Sequence, residues 1–115
     1  NFIGSPPMNL VPGTVSAGML HIGGSEMPVN GLPDGTHTIG IRPEHITLNH
    51  QPDGLALQID TVEDLGANRL IHAAVGETEL SINTPLLPAE INDGLMAHVT
   101  ASEVRCFDPG TGRAR

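Results

Sequence analysis

Gly40-Ile41-Arg42-Pro43-Glu44-His45-Ile46-Thr47-Leu48 is the stretch whose reading decides the fold. Ile39, Ile41, Ile46 and Leu48 are spaced as core-facing strand residues, and Arg42-Pro43-Glu44-His45 interrupts them with a polar break. Proline has no amide to give a central ladder, so Pro43 should end one strand and turn the chain. His45 should restart extended structure. The segment therefore reads as strand, one tight turn, strand.

The flanking sequence repeats that grammar. Before it, Leu10–Ser16 and Met19–Ile22 read as a hairpin around Ala17-Gly18, and Gly23-Gly24-Ser25 turns into Glu26–Val29. Asn30-Gly31 and Pro33-Asp34-Gly35 are turn sequences, glycine supplying the positive φ that such turns need. Thr36–Ile41 is a strand with His37, Ile39 and Ile41 on one face. After the corner and a polar loop at Asn49–Gly54, Leu55–Leu65 gives the longest strand signal. Gly66-Ala67-Asn68 reverses the chain into Leu70–Val75, and Gly76-Glu77 reverses it again into Thr78–Ile82, a meander. Pro85, Pro88, Glu90 and Asp93 mark a surface loop. Leu95–Thr100 and Val104–Phe107 close the fold, and Asp108-Pro109-Gly110-Thr111-Gly112 leaves it.

One internal echo stands out. Ile39-x-Ile41-Arg42-Pro43-Glu44-His45-Ile46-x-Leu48 resembles Ala97-x-Val99-Thr100-Ala101-Ser102-Glu103-Val104-x-Cys106, 58 residues later (Val104 against Ile46). Both are strand, polar turn, strand, which points to two small, intertwined β units.

Composition agrees. A chain of 115 residues is one domain, long enough to bury roughly two-thirds of its unfolded surface. With 14 Gly, 10 Pro, no Trp, no Tyr and 2 Phe, it favours short strands and many turns over long helices. The expectation is an all-β barrel. Thirteen acidic residues against five basic ones, all Arg, leave a net charge of −8. Such a surface repels phosphate backbones, so nucleic acid is not an expected partner. No apolar run approaches the ~20 residues of a spanning helix. Cys106 is the single cysteine, so no internal disulfide can form and a reducing compartment suits the chain.

Catalytic and metal chemistry find no foothold. His21, His37, His45, His50, His72 and His98 lack the i,i+2 or i,i+4 partners of common metal sites, so they read as ordinary strand and loop histidines. Glu63 and Asp64 are adjacent on a strand and should face opposite sides, which excludes an acid/base pair. Gly110-Thr111-Gly112-Arg113 lacks the lysine and helix of a phosphate loop. Arg42 and Glu44 can be a solvated pair on a turn, or hydrogen-bonding groups that hold the corner or a neighbouring subunit.

Three motifs stand in one order: Phe2-Ile3-Gly4-Ser5-Pro6-Pro7-Met8-Asn9, Gly40-Ile41-Arg42-Pro43-Glu44-His45, and Phe107-Asp108-Pro109-x-Thr111-Gly112, with Val62-Glu63-Asp64-Leu65-Gly66-Ala67 between the last two. Together they resemble the C-terminal regulatory domain of ATP-binding subunits of maltose-type ABC importers. Leu65-Gly66-Ala67-Asn68-Arg69-Leu70-Ile71-His72 is most similar to the sn-glycerol-3-phosphate branch. Asn68-Arg69 departs from the acidic-polar pair usual there, and Ala73 from a frequent glycine, which puts the solute and not the family in question.

The resemblance implies an OB-fold-type barrel of the TOBE/MOP-like kind, in which residues 11–108 form the domain. Residues 1–10 are then a linker from a nucleotide-binding domain that precedes this piece of chain, and 109–115 a C-terminal tail. It implies pairing with a second copy, contact with membrane subunits through the nucleotide-binding part, and in some relatives a regulatory protein. ATP and Mg belong to the parent subunit, at the cytoplasmic face of the bacterial inner membrane, and no cofactor to this stretch. The expected role is therefore non-catalytic dimerisation and regulation. Arg42, Pro43, Glu44 and His45, the reversal Leu65, Gly66, Ala67 and Asn68, and Phe107 are the candidate contacts. The alternative is a module that binds a small anion at a subunit interface, as related barrels do with molybdate.

Overall fold

The computed structural model describes residues 6–115 and is built from eleven strands with three single 3-10 turns. The N-terminal motif Phe2–Ser5 lies outside the described residues. Chain order gives β1 (Asn9–Ser16), β2 (Met19–Ile22), β3 (Ser25–Pro28), β4 (Gly35–Ile41), β5 (Thr47–Asn49), β6 (Leu55–Ala56), β7 (Gln58–Asp64), β8 (Arg69–Val75), β9 (Thr78–Thr84), β10 (Met96–His98) and β11 (Val104–Phe107). They form a five-stranded sheet in the order β11-β4-β1-β2-β3 and two three-stranded sheets, β5-β10-β6 and β7-β8-β9. Each neighbouring pair is antiparallel. The expected all-β architecture is present.

Alternation places the core. Val11 and Val15, Leu20 and Ile22, Ile39 and Ile41, and Val104 and Cys106 point inward from the five-stranded sheet. Ile71, Ala73, Val75, Leu80 and Ile82 meet them from the β8-β9 side. His37 shares the inward face with Ile39 and Ile41, as expected, and is buried. Pro12 is tolerated inside β1 because β2 joins that strand only from Thr14 onward, so its missing amide faces no ladder on that side.

The five-stranded sheet is fastened to the β7-β8-β9 sheet at two places. The Asn9 side chain behaves like a peptide group toward β9: its Nδ2 donates to the Ser81 carbonyl at 2.8 Å, and its Oδ1 accepts from the Ser81 amide at 2.8 Å. Nδ2 also reaches the Ile41 carbonyl at 3.1 Å. At the other place two hairpin turns touch. A Cβ on Gly23 would fall 1.8 Å from the Val75 carbonyl oxygen, and one on Gly76 would fall 2.1 Å from the Gly23 carbonyl oxygen. Only glycine lets the β2–β3 and β8–β9 turns approach this closely.

The internal echo is a real symmetry of the ladder. β4 pairs with β11 through Thr38↔Phe107, Ile39↔Cys106 and Gly40↔Arg105. Moving one partner forward and the other back by the same 58 residues gives Met96↔Asn49, Ala97↔Leu48 and His98↔Thr47, which are the β10–β5 pairs. The two segments therefore embrace as a pseudo-two-fold pair, and each crosses between sheets through its own 3-10 turn, Pro43–His45 or Ala101–Glu103.

Three expectations need revision. Leu55–Leu65 is not one strand: it breaks at Leu57, with β6 pairing β10 and β7 pairing β8. His45 does not restart extended structure but completes the 3-10 turn, and Ile46 takes over that role. The end of the chain does not leave the fold. Phe107 bridges back to Ala114, and the Arg115 amide donates to the Cys106 carbonyl at 2.8 Å.

Candidate functional site

Proline sets the first corner. Arg42 is extended (φ −71°, ψ 142°), which is the conformation a following proline favours, and Pro43 opens the 3-10 turn with its fixed φ. The turn closes with the His45 amide donating to the Arg42 carbonyl at 2.9 Å. Pro43 is fully buried, so it braces the corner from inside and offers no contact surface of its own. Arg42 and Glu44 are exposed, and among the described residues neither side chain has a hydrogen-bond or ion-pair partner. The corner is held by backbone, by Pro43, and by the symmetry-related corner.

That second corner is Thr100–Glu103, closed by the Glu103 amide on the Thr100 carbonyl at 2.8 Å. Glu103 is the 58-residue counterpart of His45, and the two meet: His45 Nε2 lies 3.6 Å from Glu103 Oε2. Between the corners is a pocket of about 140 Å³ lined by Met8, Gly40, Arg42, His45, Ser102, Glu103 and Arg105. Arg105 Nη1 donates to the carbonyls of Ser102 at 3.1 Å and Val104 at 3.5 Å.

Phe107 belongs to the same face. It is half-buried on the outer side of the five-stranded sheet, opposite the inward-facing Cys106. Its ring edge and the Met8 sulfur lie over Gly40, 2.8 and 2.6 Å from where a Cβ would be. Leu10, 61 % exposed, completes this apolar cluster.

The Leu65–Asn68 reversal is built separately at the end of the β7-β8-β9 sheet. The Leu65 amide donates to the Asn68 carbonyl at 2.8 Å, and the Gly66 amide to Asp64 Oδ1 at 2.9 Å. Arg69 holds it from below. Its buried guanidinium donates from Nη2 to the carbonyls of Ala67 at 2.9 Å and Gly66 at 3.3 Å, and Nη1 faces Asp64 at 3.7 Å. Arg69 Nε is buried without a partner among the described residues. Val62 (41 %) on the edge strand β7 and Leu65 (44 %) just after it expose apolar surface. No hydrogen bond or ion pair among the described residues links this reversal to the paired corners.

Arg69 was legible in principle. It shares its parity with Ile71, Ala73 and Val75, the inward face of β8, so a charge there had to be satisfied inside. The end of the chain was not. Arg115 Nη2 donates to Asp108 Oδ2, and Arg115 Nη1 donates to His37 Nδ1 at 3.2 Å and to the Thr36 carbonyl at 3.1 Å. His37 Nδ1 therefore accepts, and Nε2–H donates to the Pro33 carbonyl at 2.7 Å. The Arg115 hydrogen bond, then the amides of Thr111 and Gly110, pull the Asp108 carboxyl down to about 2. Burial pushes the Cys106 thiol above its usual range, partly offset by Arg115.

Glu63 and Asp64 do face opposite sides: Glu63 Oε2 contacts His72 Nε2 at 2.7 Å, while Asp64 turns toward Arg69. Among the described residues, no three His, Cys, Asp or Glu side chains gather in a way that could hold a metal ion. No helix there is long and apolar enough to cross a membrane.

Comparison with known proteins places this architecture. Residues 4–46 match the family model described as the MalK OB fold domain, and residues 39–107 match that of the TOBE domain. The sn-glycerol-3-phosphate import ATP-binding protein UgpC of Ruegeria pomeroyi is 36 % identical over 116 residues, covering 97 % of this chain and 33 % of that protein. Its namesake in Escherichia coli (strain K12) is 37 % identical over 122 residues, covering 98 % and 34 %. That of Vibrio vulnificus is 36 % identical over 117 residues, covering 94 % and 32 %. The chain thus spans about a third of the length of the curated relatives it matches. The antiparallel strands of the described residues, the two symmetry-related corners and these matches lead to one statement: the chain belongs to the TOBE domain family, with a MalK-type OB fold at its start.

Proposed function

We propose that this chain is the non-catalytic dimerisation and regulatory domain of the ATP-binding subunit of an ABC importer for sn-glycerol-3-phosphate or a sugar. The observation that carries the reading is the similarity to UgpC proteins along 94–98 % of this chain, while it spans only a third of theirs. ATP and Mg are then handled by the remaining part of the subunit, to which residues 1–10 lead. That part also engages the membrane subunits, and the whole sits peripherally on the cytoplasmic face of the membrane. The domain's physical task is to keep one contact closed while another opens and closes with nucleotide. A stiff barrel fastened by Asn9 and by the Gly23–Gly76 approach suits that task.

The corner suits pairing with a second copy. Arg42 and Glu44 carry opposite charges two residues apart, both exposed and without partners among the described residues. Across a two-fold axis, Arg42 of each copy meets Glu44 of the other, so the patch is complementary to itself. Exposed pairs of this kind contribute about 0.2–1 kcal/mol each, enough to orient a contact whose main driving force is apolar. Leu65 and Val62, or Leu10 and Phe107, supply apolar surface. Arg42→Glu should weaken self-association by about tenfold, and Arg42→Glu with Glu44→Arg should restore it, as read by sedimentation equilibrium. Unchanged affinity in both variants would leave the corner a purely structural element.

A further inference from the structure

We infer that the pocket between the two corners is a binding site for a phosphate-type oxyanion, held by Arg42 and Arg105. The chain has five arginines among thirteen acidic residues. Arg69 and Arg115 face Asp64 and Asp108. Arg42 and Arg105 face no carboxylate within ion-pair distance among the described residues, yet both line the same 140 Å³ pocket. In so acidic a chain, two guanidinium groups against the single carboxylate of Glu103 give one pocket a local excess of positive charge.

The pseudo-two-fold explains how they converge. Arg42 precedes the first 3-10 turn and Arg105 follows the second, and Gly40↔Arg105 pairing brings the two together across β4 and β11. Arg105 is already oriented by the Ser102 and Val104 carbonyls, which use only Nη1 and leave its other donors for a ligand. Ser102 brings a hydroxyl, and His45 a ring N–H in one tautomer. Glu103 is the one carboxylate on the pocket wall, and it is turned toward His45. Gly40 keeps the floor low, with Met8 as an apolar wall. One water needs only about 10–15 Å³, so the pocket has room for a tetrahedral anion. Guanidinium forks bind phosphate and its monoesters through paired, charge-assisted hydrogen bonds. The ligand can be free phosphate or a phosphate monoester, and the shared chemistry is the –PO₃ group. The site shares Arg42 with the proposed pairing corner, and Arg105, which lies outside that corner, tells the two apart.

The test is titration of the 115-residue chain with inorganic phosphate, glycerol 3-phosphate and glycerol, followed by amide NMR shifts and calorimetry. Saturable shifts centred on 40–45 and 102–105 are expected with both phosphates, or with the monoester alone, and none with glycerol. Arg105→Gln, an exposed position outside the proposed pairing corner, should weaken binding about tenfold or more while leaving the solution mass unchanged. Arg113→Gln, another exposed arginine, should leave binding as it was. Absence of saturation, retained affinity in Arg105→Gln, or an equal loss in Arg113→Gln would each overturn the site.

Discussion

Replacing Gly23 by alanine tests the closure of the barrel. Gly23 has φ +58°, and an added Cβ would sit 1.8 Å from the Val75 carbonyl oxygen and 2.7 Å from its carbon. Real contacts of this kind stay above 3.0 Å, so the β2–β3 and β8–β9 turns would have to part by at least about 1 Å. Both neighbours are backbone, so no side chain can swing away. The left-handed conformation costs alanine about 1–2 kcal/mol, and forced separation of packed elements about 1–3 kcal/mol more. The sum, about 2–5 kcal/mol, is a large share of the 5–15 kcal/mol by which domains are stable. At about 4 °C per kcal/mol for a chain of this size, the melting temperature should fall by about 8–20 °C. Gly24 is the matched control, since it has φ +84° and none of the described residues comes within 4 Å of its would-be Cβ. Gly24→Ala carries only the conformational cost and should lower the melting point by about 4–8 °C. Thermal unfolding by circular dichroism, with urea unfolding as a second measure, compares them. Equal losses would refute the claim that these turns close the barrel by contact.

Other predictions follow from the same geometry. Ala17 adopts φ +53° in the β1–β2 turn, so Ala17→Asn, giving Asn-Gly, should raise stability by about 0.5–1 kcal/mol in urea unfolding. Arg69→Ala should cost about 2–4 kcal/mol by leaving the Gly66 and Ala67 carbonyls without their charged donor, whereas Asp64→Ala, at an exposed position, should cost under 1. Asp108 has its folded pKa depressed to about 2, below the ~3.9 of the unfolded chain. Its contribution is therefore present above about pH 4 and is lost as pH falls toward 2. Asp108→Asn should flatten that acid limb of the stability profile, and an unchanged limb would show that the Arg115 contact does not persist in solution.

Much of the fold could be read from local chemistry. Ala17-Gly18, Gly23-Gly24 and Gly76-Glu77 are turns because glycine supplies conformations that few other residues tolerate, and those conformations are a local property. The corner could be read because Pro43 removes an amide. The 58-residue echo was visible as pattern, and the ladder shows it as symmetry. Partner identity was not visible. Leu55, Leu57 and Ile59 alternate without interruption, yet the ladder changes from β10 to β8 at Leu57, which depends on residues far along the chain. Pro43 and Arg69 look like surface residues by type, but parity and packing take both inside. The return of Arg115 to His37 spans 78 residues and has no local signature. The same holds for the candidate sites. Arg42 was singled out from its turn, while its convergence with Arg105 follows only from the β4–β11 pairing.

Self-association of this chain is the property on which the proposed role rests most directly. Sedimentation equilibrium of the 115-residue chain across a concentration series should show a reversible monomer–dimer equilibrium, with mass rising toward twice 12.0 kDa. A single species of 12.0 kDa at every concentration would contradict the account, because the pairing energy would then lie outside this domain.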